Sequence, residues 1–334
     1  MGLYRSLVRP ALFTLPPETS HHLAETAFRL PLPWRAISGS SAIPDLPVDL
    51  TGIALRNPVG LAAGFDKNCA ELRGLAALGF GYLVGGTVSR LPREGNPRPR
   101  IARDRRAATL TNAMGIPNRG VEAVASNLRS LGRLRAAVFV SLADEDVSDV
   151  LAAHEALAPL VDGFELNVSS PNSPWRHDRT DDAAYLVRVL TELGRVRERP
   201  LFVKLPPFRT PEEQDRVLGL ARIAADGGAD GLTCGNTVPV EDARLVKGRG
   251  GLSGRALVEH TPRMVEQVRR AIDLPVNACG GLATAENARR CLDAGATTVQ
   301  LYTGLIYEGP RVVRSIVSGL ALPLAGPAVG VQDG

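Results

Sequence analysis

The stretch that decides the fold is Val59-Gly60-Leu61-Ala62-Ala63-Gly64-Phe65-Asp66-Lys67-Asn68, in which a short apolar run breaks at a glycine and ends in polar residues. The run up to Ala63 is typical of a buried strand, and the polar end is typical of the loop after it. This loop lacks the GxGxxG spacing of a dinucleotide-binding turn. The missing spacing argues against an open doubly wound sheet, which is the alternative to a closed barrel.

Seven further short apolar runs follow, and the intervals between them leave room for helices. The eight candidate strands are Val59–Ala63, Tyr82–Gly86, Ala137–Leu142, Gly163–Asn167, Leu201–Lys204, Gly231–Thr233, Val276–Cys279 and Thr298–Leu301. One helical pattern opens with the capping box Thr210-Pro211-Glu212-Glu213, and another runs from Thr284 to Gly295. Buried strands that alternate with helices require a parallel sheet, so eight units predict a (β/α)₈ TIM barrel over residues 46–320. We expect residues 321–334 to form a flexible tail.

The first 45 residues read as a helical hairpin followed by a linker. Apolar residues recur at helical spacing in the first helix, at Leu3, Tyr4, Leu7, Val8, Ala11, Leu12 and Leu15. Pro16-Pro17-Glu18 opens a second helix, and the stretch between Pro31 and Pro47 is rich in proline, serine and glycine. The first helix has two interpretations: an amphipathic helix at a membrane surface, or a helix packed on its own domain. No run is long enough to span a membrane, and no signal-peptide core is present.

Composition excludes several classes of function. The formal charge of +4 comes from dispersed arginines, which gives no support for nucleic-acid binding. The four cysteines and five histidines have no metal-ligand spacing, so we expect no metal site and free thiols. Of the 39 lysines and arginines only three are lysines, Lys67, Lys204 and Lys247. The first two lie at strand ends, where a compact ammonium on a flexible stem serves purposes that arginine cannot.

Polar residues gather where the predicted strands end, which is the face of a barrel that carries the active site. Gly280-Gly281 and Tyr302-Thr303 follow strands seven and eight, where barrels bind phosphate through bare backbone N–H groups. Four asparagines, Asn112, Asn167, Asn172 and Asn236, could hold a planar ring by donating and accepting hydrogen bonds. A turn is the alternative for Asn167-Val168-Ser169-Ser170-Pro171-Asn172, since these residue types favour turns.

Four separated motifs carry a family resemblance: the stretch from Asn57 to Asn68, NVSSPN at 167–172, GGLSG at 250–254 and VQLYTGLIYEGP at 299–310. In this order they resemble dihydroorotate dehydrogenase. The stretch LVRPALFTLPPETSHHLA near the amino terminus resembles the helical extension of the quinone-dependent, membrane-associated class. The cytosolic classes use a cysteine base, whereas this chain offers Ser170.

The resemblance implies an FMN enzyme that oxidises dihydroorotate to orotate in pyrimidine biosynthesis and passes the electrons to a membrane quinone. Its N-terminal helices would hold it, as a peripheral protein and a monomer, on the cytoplasmic face of the cell membrane. Ser170 would be the catalytic base. The implied substrate residues are Lys67, Asn112, Ala113, Met114, Gly115, Ile116, Asn167, Asn172, Asn236 and Thr237.

The resemblance also implies a flavin site on the barrel rim. Its residues would be Ala63, Gly64, Lys67, Thr87, Ser141, Asn167, Lys204, Gly235, Gly254, Gly280, Gly281, Tyr302 and Thr303. Lys67 would touch both substrate and flavin. Lys204 would stand at the pyrimidine end of the flavin, where a fixed cation favours the reduced state.

Some positions depart from the family pattern. Ser141 replaces an asparagine of the third strand, Gly235 replaces a threonine, and the segments 113–116 and 173–180 also differ. These departures leave two alternatives open. One is a paralogue that acts on another dihydropyrimidine or a cyclic amide, and the other is a catalytically silent barrel that binds ligands.

Overall fold

Eight parallel strands close into a barrel in the computed structural model of the chain, which describes residues 2–168 and 182–322. The strands are β1 (Val59–Leu61), β2 (Tyr82–Val88), β3 (Ala137–Leu142), β4 (Gly163–Asn167), β5 (Leu201–Leu205), β6 (Gly231–Cys234), β7 (Val276–Cys279) and β8 (Thr298–Leu301). Each pairs with the next, and β8 returns to β1. The predicted TIM barrel is therefore confirmed, and the doubly wound alternative is wrong.

Helices surround the barrel and precede it. They are α1 (Arg9–Thr14), α2 (Pro17–Arg29), α3 (Trp34–Ser38), α4 (Leu72–Ala76), α5 (Gly120–Leu131), α6 (Val147–Leu157), α7 (Asp182–Val196), α8 (Pro211–Asp226), α9 (His260–Ala271), α10 (Ala285–Asp293), α11 (Thr303–Glu308) and α12 (Val312–Ala321). The predicted caps form, since Thr210 and Thr284 accept hydrogen bonds from the backbone N–H of Glu213 and Asn287 at 3.2 Å.

The amino-terminal end of the barrel is closed by side chains. Tyr82, Phe139 and Phe202 fill its interior, with ring centroids 5.8 Å apart in each adjacent pair. A β-hairpin of Val48–Leu50 and Ile53–Leu55 packs below them and buries two leucines against the rings. Because this end is plugged, a ligand can enter the barrel only from the carboxyl ends of the strands.

A second sheet stands on the open end of the barrel, which we call the rim sheet. Its strands are antiparallel and lie in the order Val238–Glu241, Arg249–Gly254, Thr109–Asn112 and Ile101–Asp104. Sequence patterns did not predict this sheet, because its strands are short and contain glycine and polar residues instead of an apolar run. It raises one wall beside the barrel mouth.

The N-terminal helices form a second cover of the mouth, which we call the hood (residues 4–38). It begins with a π-helical turn, Tyr4–Val8, and continues through α1, α2 and α3. Aromatic contacts dock it: Phe13 meets the Tyr307 ring at 5.3 Å, and Phe28 meets Phe65 at 6.2 Å. Polar contacts add to them, since Arg100 donates to Glu18 at 2.9 Å.

The segment expected to be a linker, residues 31–47, differs from that expectation. It contains α3 and a 3₁₀ turn, Ser40–Ala42, and its Ser38 is fully buried while Ile43 is 7% exposed. The Ser40 hydroxyl donates to the carbonyl of Ala77 at 2.7 Å. Proline and serine at this point mark tight turns that hold the hood on the barrel.

We expect Gly74→Ala to loosen the hood, because a Cβ at Gly74 in α4 would lie 2.3 Å from the carbonyl oxygen of Phe28 in α2. Forced overpacking of this kind costs about 1–3 kcal/mol in the free energy of unfolding. Denaturant unfolding and limited proteolysis of residues 4–38 measure the effect. Gly219→Ala in α8 is the matched control, since nothing lies within 4 Å of its Cβ, and it should stabilise the protein by roughly 0.5–1 kcal/mol. Equal stability of the two variants would contradict this docking.

Candidate functional site

A cavity of about 1190 Å³ lies between the carboxyl ends of the barrel strands, the rim sheet and the hood. Most of the residues predicted for substrate and flavin line it. They are Ala63, Gly64, Lys67, Thr87, Asn112, Met114, Gly115, Ile116, Asn167, Lys204, Asn236, Thr237, Gly254, Gly280, Gly281, Tyr302 and Thr303. The fold thus brings together groups from seven strand ends and the rim sheet.

Five predicted residues remain, and the structure describes three of them. Ala113, Ser141 and Gly235 do not face the cavity. Ser141 is fully buried, and a Cβ at Gly235 would lie 2.1 Å from the carbonyl oxygen of Cys279, so this glycine serves the packing of β6 on β7. Ser170 and Asn172 lie outside the described residues.

Three glycines expose bare backbone on the wall formed by β7, β8 and the rim sheet. Gly254, Gly280 and Gly281 have φ values of +92°, +132° and +74°, which side chains rarely adopt. There is also no room for a side chain at Gly281, because a Cβ there would lie 2.5 Å from the backbone nitrogen of Val258. Beside them Thr303 donates to the Ser253 hydroxyl at 2.9 Å. A wall of this kind suits a phosphate group.

Polar groups from β2, β3 and β4 form a hydrogen-bonded row at the mouth. The Asn167 amide donates to the Thr87 hydroxyl at 3.0 Å, and the Thr87 and Ser141 hydroxyls lie 3.0 Å apart. Ser141 therefore supports Thr87 from behind. Ser141 itself does not line the cavity, so it would act on a ligand only through Thr87.

Lys204 lies at the inner end of the cavity and is paired with a carboxylate. Its Nζ donates to Glu165 Oε1 at 3.2 Å, and the two side chains are 6% and 2% exposed. Burial is the largest influence and acts to lower the pKa of Lys204, but the charge and the hydrogen bond of Glu165 contribute to a net raised pKa. Lys204 is thus a cation at neutral pH. Sequence reasoning missed Glu165, although a lone charged residue within the buried run Gly163–Asn167 was a usable signal.

The rim sheet gathers the amide groups. Asn112 is paired in register with Gly251, and its amide donates to the Gly251 carbonyl at 3.4 Å. Thr237 lies over Gly251, where a Cβ would come within 1.9 Å of its hydroxyl oxygen. The Asn236 side chain accepts from the backbone N–H of Thr237 at 2.8 Å. Residues from distant parts of the chain therefore present donors and acceptors to one wall.

Lys67 joins the barrel to the hood. Its Nζ lies 2.7 Å from His21 Nε2 and 3.8 Å from Glu25 Oε1, and His21 Nε2 lies 3.0 Å from that same oxygen. Burial lowers the pKa of Lys67 and of His21. Burial would raise the pKa of Glu25, but the hydrogen bond and charge of His21, with the charge of Lys67, lower it to about 2. Sequence reasoning missed His21 and Glu25 because they act from another part of the fold.

Two features bear on membrane and metal chemistry. Among the described helices, none is both long and apolar enough to cross a membrane. Within residues 2–168 and 182–322, His, Cys, Asp and Glu side chains form no group that could hold a metal ion. The four cysteines are free thiols.

Comparison with known proteins identifies the family. The family model described as dihydroorotate dehydrogenase matches residues 45–324 of this chain. A dihydroorotate dehydrogenase (quinone) of Roseiflexus sp. (strain RS-1) is 38% identical over 339 aligned residues, which cover 95% of this chain and 93% of that protein. One from Coxiella burnetii (strain Dugway 5J108-111) is 36% identical over 343 residues, covering 96% and 97%.

A solved structure agrees with these relatives. The crystal structure of DHODH from Eimeria tenella in complex with ferulenol has a TM-score of 0.80 and 27% identity to this chain, and it covers 92% of this chain and 93% of that one. The family profile spans the whole barrel, and the relatives align along almost the full length. This chain therefore belongs to the dihydroorotate dehydrogenase family.

Proposed function

We propose that this protein oxidises dihydroorotate to orotate with FMN as its flavin and passes the electrons to a membrane quinone. The observation that carries the proposal is the single cavity that runs from Lys204 inside the barrel mouth to the apolar side chains of the hood. A polar chamber for a flavin and a pyrimidine thus continues into an apolar passage. The family is flavin-dependent, and its relatives named above are quinone enzymes.

The described residues fit FMN. Gly254, Gly280 and Gly281 offer backbone where side chains are excluded, which suits a phosphate. Lys204 offers a buried cation in the same cavity, where the reduced ring would carry negative charge. Asn167 and Thr87 offer hydrogen-bonding groups at the barrel mouth. Bound FMN would supply the hydride acceptor.

The protein's own residues would hold the substrate and move its proton. Asn112, Asn236 and Thr237 present amide and hydroxyl groups that match the donors and acceptors of a pyrimidine ring. Lys67 would bind the carboxylate of dihydroorotate. Ser170 would take the ring proton as general base, by analogy with the family, although it lies outside the described residues.

The hood supports a second proposal, that the protein docks on a membrane surface as a peripheral protein. Within the described residues, seven of the thirteen large exposed apolar side chains belong to it: Leu7, Val8, Leu15, Leu23, Leu30, Leu32 and Ile37. The hood also packs on the barrel, and this packing does not exclude the membrane-surface interpretation of the first helix. A quinone could then pass from the bilayer into the cavity without crossing water. We expect the protein to bind the cytoplasmic face of the cell membrane and to be a monomer.

The first test is reduction of the flavin. Purified protein should carry FMN, and dihydroorotate added without oxygen should bleach the flavin absorbance, which a quinone then restores. Ser170→Ala should keep FMN but slow the bleaching by about 10²–10⁴-fold, since that is the usual cost of losing a general base. Stopped-flow absorbance measures both rates.

Two outcomes would count against this account. Wild-type protein that binds FMN but is bleached only by another dihydropyrimidine or a cyclic amide would favour the paralogue. Unchanged bleaching of Ser170→Ala would reject the serine as the base. Ser130→Ala is the matched control, because Ser130 is exposed on α5, does not line the cavity, and its hydroxyl donates to the Asn127 carbonyl of the same helix at 2.7 Å.

Orotate binding should weaken as the pH rises, because Lys67 attracts a carboxylate only while it is protonated. Burial lowers the pKa of Lys67 from 10.5, so the charge is lost as the pH rises through that lowered value, below the usual lysine range. Titration of the flavin spectrum with orotate measures the affinity at each pH. Lys67→Met should bind weakly with no such pH dependence, and the same dependence in this variant would exclude Lys67 as its source.

Leu7 and Leu30 test the membrane surface, because they are 63% and 50% exposed and do not line the cavity. The double substitution Leu7→Asp and Leu30→Asp should lower binding to lipid vesicles by at least about tenfold, since burying one leucine is worth roughly 1.5–3 kcal/mol. Co-sedimentation measures it. Val187→Asp on α7, 50% exposed and outside the hood, should bind as the wild type does. A similar loss in that control would contradict a docking role for the hood.

A further inference from the structure

The carboxylate beside Lys204 is held from three sides. Glu165 lies on β4, and its Oε1 accepts from Lys204 of the neighbouring strand at 3.2 Å. Its Oε2 accepts from the Thr233 hydroxyl on β6 at 2.8 Å and from the Gln300 amide on β8 at 3.5 Å. Both oxygens are therefore engaged, and both side chains of the pair are almost fully buried. A polar cluster of this kind inside a barrel has a fixed geometry.

This cluster stabilises a positive charge in a buried position. An ammonium moved into a buried site loses much of its hydration and tends to release its proton, unless an anion lies close by. The ionisable groups that face Lys204 are Glu165 on β4 and Cys279 on β7, and Tyr82 on β2 lies near Glu165. Burial raises the pKa of Cys279 and of Tyr82, so both are neutral at working pH. Glu165 is left to balance the lysine.

We propose that Glu165 is a positioning residue of the flavin site, which keeps the Lys204 ammonium charged and fixed at the inner end of the cavity. Thr233 and Gln300 hold the carboxylate in turn. The inference rests on the proposed function, because it assigns Glu165 a role toward bound FMN. Lys204 would then enter each turnover already protonated, and reduction of the flavin would draw no proton to it.

The pH dependence of the flavin midpoint potential separates this role from a merely structural one. In wild-type holoenzyme Lys204 is charged in both redox states and adds nothing to the slope. In Glu165→Gln the uncompensated lysine loses its proton while the flavin is oxidised and regains it when the reduced ring carries negative charge. Reduction by two electrons should therefore take up about one proton more than in the wild type. The slope of the midpoint potential against pH should be correspondingly steeper over part of the range between about pH 6 and pH 9.

Two further variants tie the effect to Lys204. In a Lys204→Met background, Glu165→Gln should leave the slope unchanged, because no lysine remains to titrate. Glu18→Gln is the matched control, since Glu18 is also paired with a cation, Arg100 at 2.9 Å, but on the hood. It should show the wild-type slope.

Each outcome decides the inference. A wild-type slope in Glu165→Gln, or an equal change in the Lys204→Met background, overturns it. If Glu165→Gln does not bind FMN, the midpoint potential of the wild-type protein, measured against pH, decides alone. An inflection from Lys204 in that curve between about pH 6 and pH 9 would show that the carboxylate does not keep the lysine charged. Failure of the proposed function is visible separately, as wild-type protein without FMN or without bleaching by dihydroorotate.

Discussion

The closure of the barrel is the constraint on which the rest of the structure depends. The eight parallel strands close into a ring, which leaves no edge strand exposed. In this ring the carboxyl ends of all strands lie on the same side. The aromatic plug of Tyr82, Phe139 and Phe202 blocks the other side. All ligand chemistry is thereby placed at one mouth. Both lysines at strand ends, Lys67 and Lys204, line the single cavity there.

The mouth is divided between two kinds of surface, and this division fits a two-substrate enzyme. The rim sheet and the strand ends supply amides, hydroxyls and glycine backbone, whereas the hood supplies apolar side chains. Lys67 lies at the junction, with its Nζ 2.7 Å from His21 of the hood. The two lysines also differ in their partners. Lys204 has a dedicated carboxylate in Glu165, while Lys67 shares Glu25 with His21.

Much of the fold follows from sequence pattern because a buried parallel strand reads as an unbroken apolar run. Four strand ranges, such as Gly163–Asn167, match the structure in full, and the others differ by one or two residues at an end. The rim sheet was missed because its strands are short and contain residues such as Gly250 and Gly251 instead of an apolar run. Pattern alone could not place Ser141 behind Thr87, since strand tilt decides which side chain reaches the cavity.

The residues of the candidate site also fall into those that the sequence predicted and those that it did not. Residues within motifs, such as Lys67 and Tyr302, line the cavity as the resemblance implied. His21 and Glu165 were missed, because their roles come from contacts between distant elements, the hood on the mouth and β4 against β5 and β6. Such contacts depend on tertiary packing and leave little trace in local spacing.

The measurement that tests the central claim most directly is a crystal structure of the protein with FMN and orotate. The account predicts FMN in the single cavity, with its ring against Lys204 and its phosphate on the backbone of Gly280 and Gly281. Orotate should contact Lys67 and Asn236. A flavin bound elsewhere, or in reverse, with its phosphate at Lys204, would contradict the account.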